Sequence, residues 1–540
     1  MARPPSLLSP GVYVSEVPAH AEIAASSTSL TAFIGRARWG PVDEPVVCAS
    51  FADFEAQFGG LWEESLLGHA VRDFFLNGGG QALIVRIFVD ADAVRAVQEG
   101  DPGFLPEPVS VSEVGADVDG VASVRLGVLP LRAASPGSWG NEVVASIDRL
   151  GIDATGGTYG LAAADLFNLT LTAGSRRERL LDVTVDPEGG SQRLDRALMR
   201  SALARAGELP SPEAMRALLA AGASVEVAMT GGGDGARLTA PSMYVAGPGR
   251  GLYALDRVAC FNLLVVPRDR WGAEAALPYA EVFAYVVKRG AFWILEAPPT
   301  AWDEAARTGV GLDGLITATY GAALQARRNA AVYYPDVIME DPLQPGVRRA
   351  FGPAGAIAGV YAYTDATRGV WKAPAGVEAG IEGAFDLHAR LDDQANGALN
   401  GVGINCLRVF PSAGCVIWGA RTLAGADAFD DDARYVPVRR LLLFLEASLQ
   451  QGLRWTVFEP NDASLWGRVE EQATHFLQDL WRQGALVGST SKEAFFARCD
   501  TTTTTQAEIE AGRCVLVVGV APVHPAEFIL LTQELPAASA

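Results

Sequence analysis

The apolar positions change period along the chain, and each change marks an element. Leu30–Gly35 is a short apolar run that predicts a strand. Ser50–Phe58 predicts a capped helix, with Ser50 supplying the N-cap oxygen and Asp53 following three residues later. Leu67, Val71, Phe74 and Phe75 recur at helical spacing, so Leu67–Leu76 predicts a second helix with one apolar face. Asn77-Gly78-Gly79-Gly80 stops it, and Ala82–Val89 predicts a strand buried on both faces. A strand–helix–helix–strand order of this kind implies an α/β layered domain.

Residues 91–240 differ in texture. Gly and Pro punctuate β-rich runs at Val121–Leu131 and Leu166–Thr172, and two alanine-rich stretches, Arg193–Ala206 and Pro212–Ala221, predict helices. The α/β pattern then resumes with a helix at Leu252–Ala259 and a strand at Phe261–Val266, then a helix at Ala276–Arg289 and a strand at Ala291–Leu295. The last third predicts helices at Arg439–Gln450 and Ser464–Gln483, an aliphatic strand at Arg513–Val520, and a β-prone segment at Phe528–Leu531 beyond a bend at Pro525–Glu527. At the front, Pro4, Pro5, Pro10 and Pro18 forbid a continuous helix, and Val12-Tyr13-Val14 is β-prone with no partner strand nearby. The expected organisation is an extended arm (1–26), an α/β layered domain (27–90 with 241–358), an inserted domain (91–240) and a closing domain (359–540).

Composition narrows the function classes. A chain of 540 residues with 49% apolar and 20% charged residues has material for several cores. A formal net charge of −20 argues against nucleic acid as the main partner, because phosphate binding needs clustered positive charge. Forty arginines stand beside three lysines, a bias that GC-rich coding explains, with a lesser reading that the planar arginine fork suits carboxylates at subunit interfaces. The six cysteines, Cys48, Cys260, Cys406, Cys415, Cys499 and Cys514, are scattered, which favours free structural thiols over a disulfide framework. The first residues lack the apolar core of a signal peptide, and no stretch of 18 apolar residues predicts a membrane span.

Motifs for active-site chemistry are weak. Lys288, Lys372 and Lys492 follow Val, Trp and Ser, so none completes a P-loop. Gly231–Ala236 fits G-x-G-x-x-A but leads towards Pro241 rather than a helix, which makes it a turn. The histidines His20, His69, His388, His475 and His524 have no zinc-ligand spacing, and Gly137-Ser138-Trp139-Gly140 has Pro136 where a nucleophile elbow needs glycine. No catalytic, cofactor-binding or metal residue is singled out.

The ordered motifs carry more. TDATRGVWKAPAG (364–376), LNGVGINCLRVFP (399–411), IWGARTL (417–423), YVPVRRLLLFLEASL (435–449), WTVFEPND (455–462), LWRQGAL (480–486) and GVAPVHPAEF (519–528) follow PGVYVSEVP (10–18), FIGRARWGPVDEPV (33–46), SFADFEAQFGG (50–60) and AVRDFFLNGGGQALIVRI (70–87). SPGSWGNEV (135–143) and GGGDG (231–235) lie between them. In this order they resemble the contractile tail sheath proteins of phages and phage-tail-like injection systems. The resemblance implies an α/β, overall α+β, multi-domain protomer with a conserved core from both chain ends and a β-rich outer insertion. It implies hexameric rings stacked helically around an inner tube protein, with baseplate and terminal cap proteins at the ends, no cofactor, no nucleic acid and no membrane insertion. Assembly is expected in the bacterial cytoplasm, for a phage tail or an injection particle. Val12, Tyr13, Val14, Val515, Val517, Phe528, Ile529 and Leu530 are the expected strand-exchange residues between subunits. Arg468, Glu471, Gln478 and Arg482 are the expected tube-facing positions on their helix, while Arg368, Trp371, Arg421, Glu459, Asn461 and Asp462 are expected to be internal scaffolding. An α/β hydrolase or nucleotide-binding enzyme, and a non-contracting tube protein, are the alternatives.

Overall fold

The computed structural model describes residues 23–90, 120–152, 161–221, 226–271, 277–298, 302–309, 311–321, 324–428, 431 and 433–527. They divide into two compact units. Residues 23–26 and Leu441–His524 form the smaller, and Ser27–Arg440 with 525–527 the larger.

The larger unit is built on an eight-stranded sheet. Its spatial order is Gly414–Ile417, Ile404–Phe410, Ala330–Tyr334, Phe292–Glu296, Leu263–Val265, Thr31–Gly35, Ala82–Arg86, Val46–Cys48. The six inner strands are parallel, with Phe33 opposite both Ile84 and Val265, and each outer strand runs antiparallel to its neighbour. Every residue of Thr31–Gly35, Ala82–Arg86, Leu263–Val265 and Ala330–Tyr334 is buried, as a parallel sheet covered on both faces requires. Ala32, Leu83, Leu264, Trp293, Val332 and Ile404 share one core. The helices Leu67–Leu76 and Ala354–Arg368 pack backbone to backbone, because Gly355 and Gly359 have no side chain there. A Cβ on Gly355 would lie 2.2 Å from the Ala70 carbonyl oxygen, and one on Gly359 2.4 Å from that of Phe74.

The Ser50 cap is present: its hydroxyl accepts from the Asp53 amide at the head of helix Phe51–Phe58. Other expectations are corrected. The boundary at 359 is crossed by the parallel sheet, since Ile404, Asn405 and Cys406 pair with Val332, Tyr333 and Tyr334. Residues 359–440 therefore complete the larger unit, and only 441–524 belong to the smaller. Arg193–Ala206 is not one helix. It is helical at Leu194–Leu198 and then becomes the strand Ala204–Ala206, which pairs with Leu131–Ala133. Leu252–Ala259 is a 3₁₀ helix over Gly251–Arg257, and helix Tyr279–Arg289 starts later than its alanine content suggested.

Residues between 120 and 240 have a core of their own around Leu126, Leu131, Phe167, Leu169, Leu194 and Met215. A four-stranded antiparallel sheet in the order Glu226–Ala228, Val144–Asp148, Phe167–Ala173, Arg176–Val183 carries much of it.

The smaller unit is formed by helix Ala463–Arg482, the part of helix Val436–Gly452 from Leu441 onward, and a two-stranded antiparallel sheet, Phe495–Arg498 with Val517–Val520. Leu465, Trp466, Val469 and Cys499 are its buried centre. Residues 23–26 lie along the helix end: Ile23 is buried against Gly452, and the Ser26 amide donates to Ser448 Oγ at 3.0 Å. The strand expected over Arg513–Val520 is shorter and more exposed than its aliphatic run suggested. It spans Val517–Val520, no residue of it is fully buried, and Val515 precedes it with its amide bonded to Thr504 Oγ1.

Candidate functional site

Open α/β sheets place ligands in the crevice beyond the carboxyl ends of their parallel strands. Here charged residues lie at or just beyond those ends. Arg36 comes after Thr31–Gly35, Arg268 and Asp269 after Leu263–Val265, Glu296 closes Phe292–Glu296, and Asp336 follows Ala330–Tyr334. The guanidinium of Arg36 holds Asp269 bidentately at 2.8 and 2.9 Å. Arg268 donates to Glu296 Oε2 at 3.1 Å and to both Asp336 oxygens at 2.8 and 2.7 Å, and all three side chains are less than a tenth exposed. Arg86 donates to the carbonyls of Ala37, Gly40 and Pro136. Burial pushes the Asp336 carboxyl up to about 6 against the pull of Arg268. Burial alone would lower Arg268, but the charges of Glu296 and Asp336 outweigh it and raise it. The sequence signal for this network was a charged residue within or up to three positions beyond each of these strands, which the sequence reading did not single out.

A cavity of about 10 Å³ lies beside the network, lined by His69, Asp73, Glu296 and Phe351 among others. Ligand pockets run to roughly 300–1,000 Å³, so this one has space for a single water at most. Among the described residues both ring nitrogens of His69 lack a hydrogen-bond partner, and its ring sits 5.2 Å from Trp271 and 5.0 Å from Phe351, centroid to centroid. Burial, then the charge of Arg72, pushes the His69 pKa down to about 4. The unfolded chain therefore binds one more proton than the folded one between about pH 4 and 6.5. The stability His69 contributes is complete above 6.5 and lost as pH falls through that window. Asp73 and Asp336 act oppositely, because burial raises both to about 6 and so favours the folded form on acidification. The comparison that isolates His69 is His69→Phe. Relative to the variant, the wild type should lose about 3 kcal/mol between pH 7 and 4. Parallel stability–pH curves from urea titrations would refute the assignment.

The smaller unit offers a different arrangement. In its two-stranded sheet Phe495 faces Val520 and Arg498 faces Val517, and among the described residues no third strand joins either edge. The Phe496 ring lies over Gly519, yet Phe496 and Val517 remain 51% and 40% exposed. Beside this sheet, helix Ala463–Arg482 buries Leu465, Trp466, Val469, Ala473, Phe476, Leu477 and Leu480. At 100° per residue, Arg468, Glu471, Gln478 and Arg482 cluster on the roughly opposite face. Glu471 and Arg482 are exposed, Gln478 is half-buried, and Arg468 is half-buried, paired with Glu459 at 3.2 Å and set over the Trp455 ring. Asp462 caps the helix by accepting from the Leu465 amide, and Asn461 accepts from Trp466 Nε1 at 2.7 Å while donating to the Arg513 carbonyl. Of the expected strand-exchange residues, Val515 and Val517 are placed as described above. Val12, Tyr13, Val14, Phe528, Ile529 and Leu530 lie outside the described residues.

Comparison with known proteins gives these features a family. Residues 258–423 match the model of the phage tail sheath protein central domain, and residues 429–536 match that of the phage tail sheath C-terminal domain, together just over half of the chain. The chain belongs to the contractile tail sheath family. The tail sheath protein of Vibrio phage KVP40 is 30% identical over 180 residues, which are 33% of this chain and only a quarter of that protein's length. Among solved structures, the sheath complex of an extracellular contractile injection system, PVC, in its contracted state is 21% identical with a TM-score of 0.55, covering 98% of both chains. The contracted helical sheath of the anti-feeding prophage gives 23% and 0.53, over 97% of this chain and 98% of that one. A sheath tail protein from Listeria innocua gives 13% and 0.59, over 92% and 96%.

Two sheath motifs far apart in sequence meet in the fold. In SPGSWGNEV, Asn141 exchanges hydrogen bonds with the Gly232 backbone at 2.9 and 2.8 Å, and the Ser138 amide donates to Asp234 in GGGDG. The GGGDG segment is thus a docking turn, as its missing helix implied. In the sheath motif IWGARTL, the Arg421 guanidinium is 2% exposed and gathers Glu527, Asp427 and the carbonyls of Asn400 and Gly425. Its scaffold role joins the motif to the chain just before residue 528. Arg368, by contrast, makes an exposed pair with Glu378.

Proposed function

We propose that this protein is the protomer of a contractile sheath that polymerises around an inner tube and shortens to drive that tube through a target envelope. The observation that carries the reading is the half-built sheet of the smaller unit. Two strands alone are marginal in water, and among the described residues no third strand pairs with Phe495–Arg498 or Val517–Val520, edges to which an added strand would pair. The arm around Val12-Tyr13-Val14 and the segment Phe528–Leu530 of neighbouring copies are the strands proposed to fill those edges. Backbone pairing of that kind links copies firmly while leaving each body free to turn. The polar face of helix Ala463–Arg482, with Arg468, Glu471, Gln478 and Arg482, is assigned to the tube. Baseplate and terminal cap proteins bind the end rings, assembly takes place in the bacterial cytoplasm, and the insertion around 91–240 faces outward. Work comes from the difference in interface energy between a long and a short packing of the same copies. The paired arginines that fill the sheet's crevice suit a load-bearing body better than an enzyme.

The test is assembly with the tube protein followed by a contraction trigger such as brief exposure to mild denaturant. Negative-stain images should change from long, narrow cylinders to shorter, wider ones without added nucleotide. Cylinders of constant length would indicate a non-contracting tube protein, and failure to form cylinders would remove the sheath reading.

A further inference from the structure

Of the six cysteines, all unbridged, two have been brought together. The sulfurs of Cys499 and Cys514 are 3.4 Å apart, although the residues are 15 positions apart in the chain. Both ends of that loop are held in place. The Cys499 amide donates to Glu470 on helix Ala463–Arg482, and its side chain packs with Leu465, Trp466 and Val469. Next to Cys514, the Arg513 carbonyl accepts from Asn461 and the Val515 amide donates to Thr504 Oγ1. Between them, Asp500 organises a turn through Thr502 and Thr503, and Thr505 caps the short helix Gln506–Glu510. Cys499 directly follows Arg498 and Cys514 lies three residues before Val517, and Arg498 pairs with Val517 at the end of the two-stranded sheet. The sulfurs therefore meet just beyond the end of that sheet where the connecting loop leaves it.

We propose that Cys499 and Cys514 are a reversible disulfide site that staples the end of the two-stranded sheet when the protein meets an oxidising medium containing small-molecule disulfides. The significance of the staple rests on the reading of that sheet as the acceptor of neighbouring strands. Cys514 is exposed and Cys499 buried, so the order of attack is set. The Cys514 thiolate attacks a glutathione disulfide, forming a mixed disulfide and expelling one glutathione thiolate. The Cys499 thiolate then attacks the Cys514 sulfur, expelling the second glutathione. The two cysteines lose two protons and two electrons, and one disulfide of the medium becomes two thiols. Burial, then the neighbouring sulfur, pushes the Cys499 thiol up to about 12, so ring closure is slow at neutral pH and quickens as pH rises.

The experiment treats the unassembled full chain with excess oxidised glutathione at pH 8.5, followed by non-reducing peptide mapping and hydrogen exchange. The expected product is a peptide pair joined through Cys499 and Cys514, lighter by two hydrogens and restored by dithiothreitol. Amides of Phe495–Arg498 and Val517–Val520 should exchange about a hundredfold more slowly in it, which is the effect of closing a loop of about 15 residues on the opening equilibrium. Cys499→Ser should stop at glutathione on Cys514, and Cys514→Ser should give neither bridge nor protection. A wild type that retains glutathione on Cys514, leaves both thiols unmodified, or forms the bridge without slower exchange would overturn the proposal. Because the protomer is unassembled, failure of the sheath reading would not alter these outcomes.

Discussion

Arg268→Ala should be the most damaging single substitution in the larger unit, at about 3–5 kcal/mol, read as a shift of its urea-unfolding midpoint. Arg268 is the only group within hydrogen-bonding range that is described as holding both Glu296 and Asp336. Removing it strands two carboxylates at the carboxyl ends of central strands, each less than a tenth exposed. The cost is the desolvation of those unpaired charges rather than the worth of the pair itself. The triple variant Arg268→Met, Glu296→Gln, Asp336→Asn should therefore recover most of the loss, because no charge remains to be buried. Arg268→Lys should fall between, since an ammonium cannot serve Asp336 bidentately and reach Glu296 in the same plane. A shift below about 1 kcal/mol for Arg268→Ala would mean that water reaches the network, and the filled-crevice description would fail.

Deleting residues 1–20 should leave a folded, soluble protomer and abolish long cylinders. The described cores do not draw on those residues, and the chain remains anchored after the deletion by Ile23 and Ser26 on helix Val436–Gly452. What is lost is the Val12-Tyr13-Val14 strand proposed for a neighbour's sheet. Ile529→Pro tests the other arm. It removes one backbone donor and misdirects a strand, with a cost on the order of 3 kcal/mol. A lone protomer loses little where residue 529 pairs only with a neighbouring copy, but in a polymer the penalty recurs at every junction. Each addition step is then weakened roughly a hundredfold, since 1.4 kcal/mol is a factor of ten. The paired measurement is a melting curve on the protomer and negative-stain images of the assembly reaction. Cylinders of normal length from the truncated chain would refute the arm assignment. An equal collapse of melting and assembly for Ile529→Pro would make the last segment an ordinary strand of its own subunit.

Where a segment's fate was decided locally, the sequence was sufficient. The Ser50 cap, the helix Leu67–Leu76 and four of the six parallel strands follow from spacing within a dozen residues, whereas Ala330–Tyr334 and Ile404–Phe410 were not read as strands. Errors arose where distant contacts overrode propensity. Arg193–Ala206 has the composition of a long helix, but Ser201 Oγ accepts from the Leu203 and Ala204 amides, and Arg205 takes the carbonyls of Leu198, Ser201 and Ala204. Ala204–Ala206 is then recruited as a strand by Leu131–Ala133. The Cys499–Cys514 approach was equally illegible, because it depends on how the loop between two strands folds back. Motif order succeeded for the family because it samples the whole chain, whereas no one motif fixes which backbone edge stays open.

The parallel sheet of the larger unit has a mechanical consequence. Its six inner strands point the same way and are joined by evenly spaced backbone hydrogen bonds. A pull along the strand direction is therefore met as shear, with the bonds of adjacent strands stretched together, whereas a pull across the strands would break them in succession like a zip. The arginine–carboxylate clasps tie the carboxyl ends of neighbouring strands to one another, and being buried they are poorly screened by dissolved salt. The body is thus strongest along its strands, and its stiffness should change little between dilute and concentrated salt.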